Sequence, residues 1–276
     1  MTISDKHVNL STSNSKLKTK MDTNTNTNVN VNEVVEDIDE ELEPYPGEDA
    51  MEYEQRLKQL IKRRKETGYY KMKTLIKTDN SALNIYELEP EIVALLEQSV
   101  QEVDPELDYH PEIKIFDKIC HQQRSIGFYS DTSKGYNYSN SLTPSKQMKP
   151  CLRELLIYVN DKFDASFNGI LINKYENGEE YIGKHSDDEK GLQPNCGVIS
   201  MSFGAVRKFR IRDKNTGKIV LDVPTESNKI IQMAGNFQKE FTHEIPMEKK
   251  KKNPRVSFTI IYLKQQNHIG ALYSGV

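Results

Sequence analysis

In the C-terminal two thirds of the chain, apolar positions come in short runs. Some alternate apolar with polar residues, others are brief solid blocks, and turn chemistry separates them. Gly169–Tyr175, Gly197–Phe203, Lys208–Arg212, Ile219–Val223, Lys229–Met233 and Val256–Leu263 read as strands on this pattern, because a period of two puts alternate side chains on opposite faces of a sheet. Ile113–Phe116 alternates in the same way. Asp213-Lys214-Asn215-Thr216-Gly217 is a hairpin turn between two of these strands. Two segments carry the helical period instead. Glu91–Val103 follows Pro90 and lines up Ile92, Val93, Leu95, Leu96 and Val100. Cys151–Phe163 follows Pro150 and lines up Leu152, Leu155, Leu156, Val159 and Phe163. Many short strands without strand–helix–strand alternation predict a mainly β, antiparallel sandwich with flanking helices, an α+β chain.

Upstream the pattern weakens. Residues 1–32 are polar, with Thr-Asn alternation at Thr23–Asn32, and the following acidic stretch runs through Pro44-Tyr45-Pro46-Gly47. Such sequence cannot bury enough apolar surface to offset its ordering entropy. Glu48–Glu66 predicts a helix, with Tyr53, Leu57, Leu60 and Ile61 at helical spacing and Lys62–Lys65 near its end. That basic cluster suits either phosphate contact or a charge-complemented helix terminus. The expected division is a disordered tail at 1–47, a helical extension at 48–110, a folded domain at 111–266 and a C-terminal tail at 267–276.

Charge changes this picture in one respect. The 276 residues carry 38 Lys and Arg against 41 Asp and Glu, a net of −3. Eleven acidic residues and no basic one fall between Glu33 and Glu54, and residues 1–32 hold four Lys and two Asp. Residues 55–276 are left with 34 basic against 28 acidic side chains, a net of +6. A basic body suits a polyanion partner, and a solvated surface with an acidic arm suits the charge equally. Cys120, Cys151 and Cys196 are odd in number and scattered, which indicates neither a disulfide framework nor a cysteine zinc site. No stretch is long and apolar enough to span a membrane, and no signal-peptide core is present, so a soluble intracellular monomer is expected, in nucleus or cytoplasm.

The chemistry gathers in Leu171–Glu189, LINKYENGEEYIGKHSDDE. Asn177-Gly178 is a turn signal. His185 and Asp187 are two apart, so in extended chain they share a face roughly 6–7 Å apart. An imidazole and a carboxylate so placed can close on one metal ion. His243 follows 58 residues later in Phe241-Thr242-His243-Glu244-Ile245-Pro246, and Arg255 follows His243 by 12. Two His and one carboxylate are the donor set of non-haem Fe(II) oxygenases. Arg255 and Ser257 share a strand face, and the planar fork of Arg suits a carboxylate. Singly, His243 reads as a structural histidine and Arg255 as a surface cation; the order and spacing together argue otherwise.

His-x-Asp, a distant His and Arg-x-Ser resemble the Fe(II)- and 2-oxoglutarate-dependent dioxygenases. The surrounding text, LINKYENGEEYIGKHSDDE, VISMSFGAVRKFRIRDKNTGK, FTHEIP and NPRVSFT, resembles the DNA-repair branch of the AlkB family over roughly Ile113–Lys264. The resemblance implies a double-stranded β-helix, or jelly roll, under an N-terminal nucleotide-recognition lid. It implies Fe(II) held by His185, Asp187 and His243, and 2-oxoglutarate as cosubstrate held by Asn173, Tyr175, Arg255 and Ser257. The implied activity is demethylation of N-alkylated bases in nucleic acid, DNA favoured and RNA left open, with release of succinate, carbon dioxide and formaldehyde. Hydroxylation of a protein or small molecule, and nucleic-acid binding without turnover, remain the alternatives.

On the substrate side, the resemblance puts Phe116 where duplex-repair members carry an apolar wedge that fills the gap left by a flipped base; as a strand phenylalanine it equally suits the core. Arg124, Tyr129 and Tyr138 fall in the lid region, where aromatic faces stack on bases and an Arg contacts the nucleic-acid backbone; as plain residues the tyrosines equally cover a sheet. Glu189 matches an acidic residue that contacts the flipped base, and otherwise reads as a solvated loop carboxylate. Lys249–Lys252 suits backbone contact or a flexible solvated loop. One position departs from the pattern: the family's second Arg, six residues after the first, is Ile261 here.

Overall fold

Alternation along a central apolar strand decides what each face of the main sheet meets. The structure is a computed structural model, and it describes residues 47–49, 51–52, 55–56, 72–115, 118–138, 141–193 and 196–264. In chain order it runs through β1 (Met72–Lys77), β2 (Ser81–Glu87), helix α1 (Pro90–Val103), β3 (Glu112–Ile115), β4 (Lys118–His121), β5 (Ser125–Tyr129), β6 (Gly135–Tyr138) and β7 (Ser141–Lys146). Helix α2 (Pro150–Phe163) leads to β8 (Gly169–Tyr175), β9 (Ile182–His185), β10 (Val198–Gly204), β11 (Lys208–Asp213), β12 (Ile219–Pro224) and β13 (Lys229–Gly235). A short helix α3 (Phe237–Glu240), β14 (Phe241–Ile245) and β15 (Arg255–Ile261) complete it.

Nine strands form a major sheet in the order β1-β2-β13-β10-β15-β8-β5-β7-β6, four form a minor sheet in the order β12-β11-β14-β9, and β3 pairs with β4 alone. Described pairings are antiparallel except β5 with β7. The architecture is the jelly roll, with the two sheets packed face to face. On β15 the even positions Val256, Phe258 and Ile260 join Leu96, Leu152, Leu155 and Val159 of the two helices in one core. Ile261 joins Leu171, Phe209, Ile211, Met233 and Phe241 in a second core between the sheets. One strand thereby serves a helix-facing layer and a sheet-facing layer, each buried Leu, Ile or Phe contributing ~1.5–3 kcal/mol.

The expected helix over Glu91–Val103 forms with Pro90 in its first turn, and Cys151–Phe163 does the same with Pro150. The latter ends on Asp164 in the left-handed region, φ 45°. The expected helical extension at 48–110 needs correction. Met72–Lys77 and Ser81–Glu87 are strands, and β2 pairs along its whole length with β13, from Lys229↔Glu87 to Gly235↔Ser81. They extend the major sheet and cover the edge that β13 would otherwise expose. The helix expected at Glu48–Glu66 and the tails at 1–47 and 267–276 fall largely or wholly outside the described residues. Among the described residues, no helix is long and apolar enough to cross a membrane.

Candidate active site

The mouth of the jelly roll gathers three donors from the minor sheet. His185 ends β9, and β14 pairs with β9 so that His243 stands opposite His185. Asp187 follows in a loop held by two bonds: the Ser186 hydroxyl donates to the Phe241 carbonyl at 3.0 Å, and the Asp187 amide donates to Gln238 Oε1 at 3.0 Å. Nε2 of His243 lies 3.4 Å from Asp187 Oδ2, and Nε2 of His185 lies 3.7 Å from Oδ1. The three donor atoms all lie within 4.8 Å of one another. Nδ1 of His185 is 2.9 Å from the Gly183 carbonyl, which turns Nε2 toward Asp187.

Electrostatics favours the metal-binding protonation states. Burial, helped by the neighbouring His243, pushes the His185 imidazole down to about 4. Burial alone would raise the Asp187 carboxyl, but His243, His185 and Arg124 outweigh it and hold it below its ordinary value. A neutral imidazole and an ionised carboxylate are the forms that bind metal. Nδ1 of His243 is buried without a hydrogen-bond partner, so little but the donor set itself fixes its ring, which packs 5.0 Å from Phe209. Two imidazoles and one carboxylate in this arrangement fit Fe(II) with coordination positions left open.

The adjoining wall belongs to the major sheet. Strands β8 and β15 pair Arg255 with Tyr175 and Ser257 with Asn173, and all four side chains are buried. Arg255 donates from Nε to Thr225 Oγ1 at 3.1 Å and from Nη2 to Ser202 Oγ at 2.8 Å. Its guanidinium carbon lies 5.4 Å from the centre of the Tyr175 ring. Nη1 is buried with no partner. Burial, opposed by Tyr175 and reinforced by nearby Arg207, pushes Arg255 down to about 10. A guanidinium oriented by hydroxyls, with a free donor and no carboxylate beside it among the described residues, is arranged for an external anion. Ser257 spends its hydroxyl weakly, donating at 3.5 Å to the Asn173 carbonyl.

Sequence reasoning missed Arg207. It is 2% exposed and donates to the carbonyls of Asn177, Glu180 and Pro246 at 2.8–2.9 Å, and to Glu248 Oε2 at 3.2 Å. In RKFRIR it looks like one more cation of a solvated basic strand, and no signal there separates it from Lys208 or Arg210. Ser202 and Thr225, which aim Arg255, were equally silent.

On the substrate side the predicted residues divide. Arg124 and Tyr138 line one small cavity with His185, Asp187, His243, Asn173 and Thr259, and Tyr138 meets His185 edge-on at 5.9 Å. Tyr136, not singled out by the sequence, lines it too and is buried. Glu189 is half-buried, its carboxyl pushed up to about 7 by burial and by the charge of Asp187, against the influence of Tyr136. Tyr129 is a correction. It stands opposite Ile170 in the β5–β8 register, packs in the helix-side core, and turns its back on the metal site. Strand parity is the cause: Ile126 and Phe128 point inward, so Tyr129 points outward. Phe116 lies outside the described residues. Ile261 shares the inner face with Arg255, Ser257 and Thr259, and lines a second cavity of ≈ 200 Å³ on the far side of Asp187. Lys249–Lys252 are exposed.

A jelly roll with this triad at its mouth defines a non-haem iron oxygenase. Residues 81–261 match the 2OG-Fe(II) oxygenase superfamily, and the chain belongs to it. Its domain therefore reaches back to β2, ahead of the expected boundary at residue 111. Within the superfamily the similarity is to AlkB proteins of the DNA-repair branch. The chain is 31% identical to human DNA oxidative demethylase ALKBH2 over 170 residues, 58% of this chain and 65% of that one. It is 31% identical to human alpha-ketoglutarate-dependent dioxygenase alkB homolog 3 over 176 residues, 60% of this chain and 59% of that one. The match thus spans less than two thirds of either relative. A solved structure described as that of OsALKBH1 superposes with a TM-score of 0.43 at 14% identity, covering 65% of this chain and 97% of that chain.

Proposed function

We propose that this chain is an Fe(II)- and 2-oxoglutarate-dependent demethylase of N-alkylated bases in nucleic acid, with DNA favoured. The observation that carries the reading is the triad of His185, Asp187 and His243 opening between a buried, anion-ready Arg255 and the aromatic wall of Tyr136 and Tyr138. The likeness to named DNA demethylases supports the choice of substrate. Bound iron, with oxygen and 2-oxoglutarate, supplies the oxidation that hydroxylates an N-methyl group; the cosubstrate leaves as succinate and carbon dioxide, and the methyl carbon leaves as formaldehyde. The protein's own work is placement. Arg255 takes the distal carboxylate, aimed by Ser202 and Thr225, with Tyr175 beneath its guanidinium. Asn173 borders the metal end. Tyr138, edge-on to His185, limits where a flipped base can lie. Glu189, partly protonated near neutrality, has a donor or acceptor oxygen to offer that base. We expect the protein to act inside the cell as a monomer.

The test is incubation of the chain with Fe(II), 2-oxoglutarate, oxygen and oligonucleotides carrying single N-methylated bases. Mass analysis should show loss of the methyl group, matched by succinate. Succinate without demethylation would move the substrate to a protein or small molecule. Tight oligonucleotide binding with no succinate would leave a binding module.

A further inference from the structure

The site holds a second buried cation that the placement above does not use. Arg124, just ahead of β5, is 6% exposed. Its Nε donates to Asn173 Oδ1 at 2.7 Å, and its guanidinium carbon lies 5.6 Å from the centre of the Tyr138 ring. Among the described residues no carboxylate is within ion-pair distance of it and neither Nη atom is hydrogen-bonded. It lines the cavity that contains the triad. Its outer donors, unspent on protein, open on that cavity and are available to an anion entering it.

Strand geometry says which anion fits. Asn173 and Tyr175 are alternate residues on the inner face of β8, about 6.6 Å apart along the strand. Arg124 is bonded to the first and Arg255 stacks over the second. The two guanidiniums therefore bracket a strand segment about as long as a five-carbon dicarboxylate. Arg255 stands at the end away from the metal and Arg124 at the end beside it, where Thr259 completes the cavity wall and Ile261 brings no charge.

We propose that Arg124 binds the metal-side carboxylate of 2-oxoglutarate. This assignment rests on the cosubstrate reading given above and adds to it. Each end of the cosubstrate then has its own arginine, drawn from two different segments. The bond from Arg124 Nε occupies the Asn173 oxygen, which leaves the Asn173 amide N–H groups for the cosubstrate.

The test is calorimetric titration of the Mn(II)-loaded full chain with two ligands: 2-oxoglutarate, and 2-oxopentanoate, which has the same chain length without the distal carboxylate. Arg124→Gln should weaken both by a common factor of about ten or more, because hydrogen bonds to charged groups are the strong ones. Arg255→Gln should weaken 2-oxoglutarate alone. Arg124→Lys, which keeps the buried charge, should lose less than Arg124→Gln, but toward both acids alike. Unchanged Mn(II) affinity in the variants, read by electron paramagnetic resonance, shows that the metal site is intact. Binding of both acids by Arg124→Gln at the level of the unaltered chain would overturn the assignment; a simultaneous loss of methylated-oligonucleotide binding would hand Arg124 to the nucleotide instead. If the unaltered chain binds neither acid, the cosubstrate reading falls and this assignment with it.

Discussion

Arg207 and Arg255 are both buried cations facing Tyr175, at 5.9 and 5.4 Å from its ring, yet they do opposite work. Arg207 gives its donors to protein: three backbone carbonyls from two loops and the carboxylate of Glu248. Arg255 gives two donors to hydroxyls and keeps Nη1 bare. The first is a clasp that closes loops against the minor sheet, and the second is a socket. Burial and charge alone do not reveal the difference, because it lies in which donors remain unspent.

The comparison can be broken by truncating each. Arg207→Ala should cost the fold ~3–5 kcal/mol, since it strands buried carbonyls and a carboxylate at once; chemical denaturation of the metal-free protein measures this. If stability drops by less than ~1 kcal/mol, Arg207 is no clasp. Arg255→Ala should leave the melting temperature nearly unchanged but weaken 2-oxoglutarate binding by at least roughly thirtyfold, the scale for losing one partner of a buried charge pair, ~2–5 kcal/mol. The reverse assignment of effects would exchange the two roles.

Acid probes the metal donors instead. The His185 imidazole is pushed from 6.5 down to about 4 on folding. The unfolded chain therefore binds more protons between those values, and stability of the metal-free protein should fall as pH drops from 6.5 toward 4, by no more than ~3 kcal/mol. Asp187, held below its ordinary value, acts in the same direction at lower pH. Thermal melts of the protein and of His185→Gln across this range check it; equal slopes would show that His185 is not the group responsible. The smallest effect expected is from Ile261→Arg. The side chain points to the inner face beside a cavity that also holds Asp187 and Glu189. With Arg124 already at the metal end, the new cation should tighten 2-oxoglutarate less than about tenfold, or ~1.4 kcal/mol. A larger gain would mean that the metal end lacked a cation.

The shared strand face of the socket residues could be read from sequence because strand parity encodes it. Asn173 and Tyr175, like Arg255 and Ser257, are alternate residues of strands whose apolar neighbours announce them, and β8 forms over the predicted span. The metal donors were legible from spacing for the same reason. The clasp was not legible, since its partners are, apart from Glu248, backbone carbonyls of loops, which no side-chain pattern records. Parity also explains the error at Tyr129: Ser125-Ile126-Gly127-Phe128-Tyr129 has a large residue on both faces, so the sequence does not say which faces the metal. The β1–β2 hairpin escaped notice because Lys73, Lys77, Asn84 and Glu87 interrupt its apolar positions, and only pairing with β13 supplies the burial that makes it a strand pair.

Gly178 carries a consequence for the row of lysines at 249–252. A side chain there would meet the Glu248 carbonyl oxygen at 1.9 Å, and the bare backbone instead bonds on both sides: Gly178 N–H to the Lys251 carbonyl at 2.8 Å, and Glu248 N–H to the Gly178 carbonyl at 2.7 Å. The Glu248 carbonyl in turn accepts from Lys251 N–H at 2.8 Å. The lysine row is thus anchored through its backbone at Glu248 and Lys251, with its side chains exposed. Four charges gathered on an anchored backbone behave as an electrode in place of a tether. An arriving polyanion meets a local potential already gathered, with less backbone left to order on contact, and its capture should fade as salt shortens the reach of that field.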